Sequence, residues 1–187
     1  MLPNQVISYN QLKKEFPKER IEKMSASLKL FPTPFKGIYY IPNDEEKKGW
    51  FIENPKLVLK KSVELFLKNN KFYFSCSSAE EFFGMEWKNL NELHIVNEKL
   101  SRKINLKKRI ERNKTKKTYR SKKIGRILSF YGNTIIFHKV KSIKTAKTKS
   151  TPYGVYATKR QIEKDKKRFN EKYKNTGPAL VTKKSTK

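Results

Sequence analysis

Ten Lys and Arg side chains and a single Glu fall within the seventeen residues 107–123, KKRIERNKTKKTYRSKK. Cations at that density repel one another unless anions neutralise them, and a nucleic-acid backbone is the polyanion that best matches such a run. Lys107, Lys108, Arg109, Arg112, Lys114, Lys116, Lys117, Arg120, Lys122 and Lys123 are therefore the predicted phosphate contacts. Each one seated on a phosphate releases condensed counterions, so affinity should fall steeply with salt. Tyr119, inside the run, and Tyr153 and Tyr156, in PYGVY, are aromatic platforms on which unpaired bases could stack. Ordinary packing is the alternative for those three rings. Lys159 and Arg160 extend the basic set, and Lys36, in the turn Lys36-Gly37, is expected to contribute a groove contact.

Other chemistry is less well provided for. A nuclease needs clustered carboxylates to hold Mg²⁺ against the scissile phosphate. The chain has two Asp, Asp44 and Asp165, one in a polar loop and one in a Lys-rich helix. Glu80, Glu81, Glu86 and Glu92 lie close in sequence but read as solvated carboxylates, with Glu81 expected to cap a helix. Cys76 with His94 or His138 could be drawn as nucleophile and base, yet a small thiol on an aromatic strand is expected to be buried and inert. One Cys and two His are too few for a zinc site. The sequence carries neither a phosphate-binding P-loop nor a dinucleotide glycine fingerprint. The expectation is no cofactor, no metal and no catalysis. A metal-dependent nuclease using Glu80 and Glu92 is the enzymatic alternative.

The elements that must position the basic run come from a chain of 187 residues, 36% hydrophobic and 12% aromatic, long and apolar enough to bury a core. Its net charge of +28 is uneven. Residues 1–98 hold 15 Lys/Arg against 13 Asp/Glu, whereas residues 99–187 hold 30 against 4. A nearly neutral half is thus joined to a strongly positive one. The single cysteine excludes an intrachain disulfide framework. No apolar run approaches 18 residues and no basic-then-apolar leader opens the chain, so the expectation is a cytoplasmic protein with no membrane partner.

Ser8-Tyr9-Asn10-Gln11 has capping-box spacing and predicts a short helix to Phe16. Pro17 then opens a second helix whose Ile21, Met24 and Leu28 share a face. FKGIYYIP, residues 35–42, predicts a strand entered through a glycine turn. Asn43–Gly49 reads as a polar loop and candidate linker. Residues 56–69 predict an amphipathic helix, 72–76 a strand, Ser78–Glu81 a second capping box, and 93–96 another strand. Residues 103–107 predict a strand that leaves 108–122 as an exposed arm. Gly132-Asn133, between two apolar runs, predicts a tight hairpin. Residues 141–151 read as a Lys/Thr loop and 158–173 as a helix with Ile162, Phe169 and Tyr173 along a sparse apolar stripe.

The order of these pieces resembles the AbiEi-type antitoxin and transcriptional-regulator family of abortive-infection, type IV toxin–antitoxin systems. Gly37, Tyr39, Tyr40 and Pro42 match that family's strand ending its winged helix-turn-helix. Tyr73, Ser75, Ser78, Ala79 and Gly84 match the opening of its α/β domain, and His94 and Val96 match the strand that follows. The similarity covers about residues 8–97. It implies operator DNA binding, autoregulation and a cognate toxin protein as partner. The family's usual Glu-Arg-Thr-Leu helix start is absent here; TPYGVYATKRQIEKD stands in the corresponding region.

Taken together, the residues predict an α+β fold: a reduced winged helix-turn-helix over 1–45, a basic α/β domain over 50–175 with a mostly antiparallel sheet and a long basic arm, and a flexible tail over 176–187. The predicted function is nucleic-acid binding, DNA before RNA, with an RNA-binding or ribonucleoprotein component as the alternative.

Overall fold

The structure, a computed structural model, describes residues 2–68, 70–85, 92–115 and 118–174, with the backbone alone for 170–174. Within them the chain is α+β, with eight helices and two sheets. The tail predicted over 176–187 lies outside the described residues.

The N-terminal part runs β1 (Gln5–Ser8), α1 (Tyr9–Glu15), α2 (Lys18–Ala26), β2 (Phe31–Pro32) and β3 (Ile38–Ile41), with an antiparallel sheet of order β1-β3-β2. The predicted capping box is present. Gln11 N–H donates to Ser8 Oγ, and the Gln11 carboxamide accepts from the Ser8 amide at 2.8 Å, so two otherwise orphaned donors of the helix start are satisfied. Ile21 and Met24 are buried on α2 as their spacing predicts, whereas Leu28, also buried, lies past the end of the helix at φ +56°. Ile21 and Met24 pack with Leu12 of α1 and with Ile7, Leu30 and Ile41, removing the α1–α2 pair from water at about 1.5–3 kcal/mol for each large side chain.

Residues 43–49 are not a loop. Asn43 and Glu46 form a capping box that opens α3 (Asp44–Gly49). Glu46 is fully buried and accepts from the Tyr40 hydroxyl and from the amides of Asn43 and Glu53. The Asp-Glu-Glu run that suggests a solvated linker is the acidic first turn of a helix, where the backbone dipole favours anions. α4 (Pro55–Phe66) follows and packs on β1 and β3.

The second sheet has six strands in the order β6-β7-β5-β4-β9-β8. They are β4 (Phe72–Phe74), β5 (Glu92–Asn97), β6 (Arg102–Asn105), β7 (Thr134–Lys139), β8 (Thr148–Thr151) and β9 (Gly154–Ala157). The sheet is mixed: β5 runs parallel to β7 and β4 parallel to β9, while the remaining three pairs are antiparallel. Parallel neighbours need long crossovers, and here helical segments supply them where strand-to-strand hairpins are predicted.

Two corrections follow from those crossovers. The 108–122 arm is helical: α6 (Leu106–Thr115) and α7 (Tyr119–Ser129) form an antiparallel hairpin between β6 and β7. The apolar run before Gly132-Asn133 is the second half of α7 and not a strand, and Gly132, at φ +82°, terminates that helix ahead of β7. The second capping box is also absent. Cys76, at φ +51°, holds the N-cap position of α5 (Ser77–Phe82), and Ser78 Oγ instead accepts the His94 amide of β5 at 2.6 Å. Glu81 reaches Lys56 at 3.4 Å.

α8 (Lys159–Lys174) lies where predicted, with Ile162 and Phe169 buried. The main core joins Ile95, Val96, Ile135 and Phe137 of the sheet to Val63 and Leu67, to Ile127 and Leu128, and also to Phe31 and Phe35 of the N-terminal part. Among the described residues no helix is long and apolar enough to cross a membrane.

Candidate nucleic-acid interface

The helical hairpin carries its charge on one side because its apolar residues take the other. Leu106 and Ile110 recur at four residues on α6, and Gly125, Ile127 and Leu128 are buried on α7. Gly125 makes the crossing close: a β-carbon there would stand 3.4 Å from the Ile110 carbonyl oxygen and 3.4 Å from Lys114 Cγ. The opposite surfaces are left to the cations. Lys107, Lys108, Arg112 and Lys114 on α6 and Arg120 and Lys122 on α7 are exposed. Lys116 and Lys117 lie outside the described residues.

Neither helix has an acid in its first turn, and α6 opens on Lys107, Lys108 and Arg109. Cations at a helix N-terminus oppose the backbone dipole, at a cost of about 0.3–1 kcal/mol each. An anion brought to this surface would relieve both that penalty and the mutual repulsion of the lysines.

Three of the predicted contacts have structural duties. Arg109 is half-buried and donates to the Pro34 carbonyl at 3.3 Å; burial, with Arg112 nearby, holds its pKa below the usual guanidinium range. Arg120 donates from Nε to the Ala26 carbonyl at 2.8 Å and from Nη2 to Ser25 at 3.3 Å, capping the C-terminal end of α2. Lys123 is sandwiched, its Nζ 3.4 Å from the Trp50 ring centroid and 3.8 Å from that of Tyr119. A cation held between two rings has already exchanged part of its hydration for their faces. Lys123 is thereby set apart from the exposed cations of the hairpin.

Lys36 and Arg120, eighty-four positions apart, line one cleft of about 630 Å³ between α1, α2 and the Lys36-Gly37 turn. Tyr9, Tyr39, Glu22 and Ser25 share its walls. Lys159 and Arg160 are exposed on the first turn of α8, after β9, which two strands separate from β7. They are not gathered with the hairpin.

Of the aromatic candidates, Tyr119 is 71% exposed and Tyr153 40% exposed. Tyr156 is not available as a platform. Its ring stacks on Phe82 at 4.0 Å and contacts Phe74 at 5.1 Å. Burial pushes its phenol up to about 12.

Sequence reasoning misses Arg126. It is exposed on α7 and shares a stripe with Tyr119 and Lys122 at steps of three and four. The helical spacing of 119–129 is the signal that would identify it. Tyr9 and Tyr39 escape for a different reason: nothing in their local sequence marks them as neighbours across a cleft.

The residues considered for catalysis are engaged elsewhere. Asp165 is buried and accepts from Ser75 Oγ at 2.6 Å, Tyr73 Oη at 3.1 Å and Gln161 Nε2 at 2.9 Å, pinning α8 to β4. Glu80 is paired with Lys166. Cys76 is buried, and desolvation, with Asp165 beside it, pushes its thiol up to about 12. His94 and His138 approach at 2.9 Å, and His138 stacks on Phe169. Glu92 sits 3.7 Å from the other His94 nitrogen, and Glu86 lies outside the described residues. Among the described residues no three His, Cys, Asp or Glu side chains converge as a metal site requires.

No protein-family model matches the chain, and neither a curated protein nor a solved structure matches it.

Proposed function

We propose that this chain is a non-catalytic nucleic-acid-binding protein, acting on duplex DNA as a transcriptional regulator of the antitoxin type. The observation that carries the reading is the α6–α7 hairpin: at least seven exposed cations, Arg126 included, stand on two helices whose inner faces are locked into the core. A cationic surface built on rigid helices holds phosphates with little ordering cost, which a solvated charge run cannot do. The order β1-α1-α2-β2-β3, with its β1-β3-β2 sheet, supports a reduced winged helix-turn-helix. In that reading α2 and the Lys36 turn enter a groove while the hairpin grips the flanking backbone. The antitoxin role, with a cognate toxin as partner, rests on the resemblance over residues 8–97.

RNA binding is the second reading, favoured by one observation. Tyr119 and Tyr153 are exposed rings among cations, suited to unpaired bases.

Anisotropy titration against duplex DNA, single-stranded RNA and structured RNA at several salt concentrations tests both readings. Replacing Lys107, Lys108, Arg112 and Lys114 together by Ala should flatten the slope of log affinity against log salt by about 3–4, at roughly 0.9 per lost phosphate contact. An unchanged slope would remove the hairpin from the interface. Preference for one duplex sequence over bulk DNA supports the regulator, and preference for RNA at matched salt supports the alternative.

A further inference from the structure

We propose that the cleft between α1, α2 and the Lys36-Gly37 turn is a binding site for a single unstacked nucleotide of the bound strand. This rests on the nucleic-acid-binding reading and adds a specificity to it: recognition of a base that has left its helix.

The cleft has the size and the chemistry for that occupant. Its volume of about 630 Å³ falls in the range of roughly 300–1,000 Å³ common to small-molecule sites. Two half-buried phenol rings, Tyr9 and Tyr39, stand in its walls, and every base offers a π-face to such rings. Lys36 and Arg120 bring positive charge to the same space. Arg120 spends Nε and one Nη2 hydrogen on the end of α2, an anchorage that fixes its plane and keeps the Nη1 donors available to a phosphate.

The remaining lining groups favour a base over a simple anion. Glu22 carries a negative charge in the same wall, tied only loosely to Lys18 at 3.9 Å. A site for phosphate alone would be weakened by that carboxylate. A base turns it to use, because the amino groups of adenine, cytosine and guanine donate to carboxylates. Ser25 is a second polar residue in the cleft wall. Aromatic wall, cations and a carboxylate acceptor are together the requirements of an anionic heteroaromatic ligand.

The cleft is also placed to be reached from the hairpin. Arg120 belongs to the first turn of α7, off the stripe that Tyr119, Lys122 and Arg126 share. Arg120 is the side chain by which the hairpin enters the cleft wall. Extruding a base costs least where it is already unpaired, which would direct the protein to bulges, frayed ends or distorted duplex.

The test uses the full chain and three probes: a blunt DNA duplex, the same duplex with one bulged 2-aminopurine nucleotide, and 2-aminopurine riboside monophosphate. The bulged duplex should bind about tenfold tighter than the blunt one, with the 2-aminopurine fluorescence quenched by stacking. Tyr9→Leu and Tyr39→Leu should each remove that preference and the quenching while leaving blunt-duplex affinity and the salt slope unchanged. Circular dichroism melts of both variants separate loss of the site from loss of the fold, and Tyr9→Leu alone suffices should Tyr39→Leu melt early. Equal affinity for both duplexes, or quenching unaffected by either variant, overturns the proposal. If the wild-type chain binds neither duplex, the duplex-DNA reading fails by itself. The monophosphate then decides the cleft: quenching that Tyr9→Leu abolishes supports it, and none overturns it.

Discussion

The guanidinium of Arg120 donates to the main-chain carbonyl of Ala26 at 2.8 Å, so the first turn of the second basic helix, α7, is fastened to the last turn of α2. A cation at a helix C-terminus meets both the unpaired carbonyls and the negative end of the dipole. The same side chain thus couples the two surfaces proposed to grip one ligand.

Replacing Arg120 by Ala should lower stability by about 1 kcal/mol, since two charge-assisted bonds at an exposed site are lost. The urea midpoint measures this. Lys at 120 should recover the charge but not the paired geometry, restoring the salt dependence of nucleic-acid binding more fully than the midpoint.

Gly125→Leu should force α6 and α7 apart, because the first added carbon already fills the gap, in contact at 3.4 Å with Ile110 O and Lys114 Cγ, and the branched remainder must extend beyond it. Overpacking of this kind costs about 1–3 kcal/mol. Thermal melts should register that loss, and duplex affinity should drop with it as the cations of the two helices separate.

Asp165→Ala should be among the most damaging single substitutions, at about 3 kcal/mol, because it strands the buried hydroxyls of Tyr73 and Ser75. Ser75→Ala, which removes one donor and leaves the others in place, should cost about 1 kcal/mol. Chemical denaturation of both variants measures the ratio. Equal losses would show that the carboxylate is not the hub of this contact.

His94 predicts a dependence on acid. Burial is the main influence and lowers its pKa from the ordinary imidazole value of 6.5, with Glu92 opposing. The unfolded chain therefore takes up the proton first as pH falls. Stability conferred by the neutral ring is complete above about 6.5 and is lost below it, as pH falls through the native pKa. Urea midpoints at pH 7.5 and 5.5 should differ more for wild type than for His94→Gln.

Features set by close neighbours along the chain are legible from spacing alone. The Ser8–Gln11 capping box, the Ile21-Met24 face, β5 and α8 all follow from intervals of two to four residues. Residues 106–129 mislead because ten cations outweigh a sparse apolar signal. Leu106 and Ile110 do recur at helical spacing, as do Ile124 and Leu128, but each pair is too short to stand out without its partner helix. Gly132-Asn133 misleads for a related reason: the same dipeptide chemistry can end a helix or turn a hairpin, and the element before it decides. Positive charge at the candidate site is legible residue by residue. Which cations are already occupied is not, because Pro34, Ala26 and the Trp50 ring lie far away in the chain.

The amides of Leu106 and Lys107 both donate to the carbonyl of Asn133, at 2.7 and 3.0 Å. The entire excursion through α6 and α7 therefore leaves and re-enters the sheet at one point, between two strands already paired with each other. Such an insert is topologically a cassette, entering and leaving the sheet between β6 and β7 without interrupting their register. Closing a longer excursion adds only about 0.6 kcal/mol for each doubling of its length. The exposed outer faces of the two helices can thus be retuned in charge while Leu106, Ile110, Ile127 and Leu128 keep the insert seated in the core.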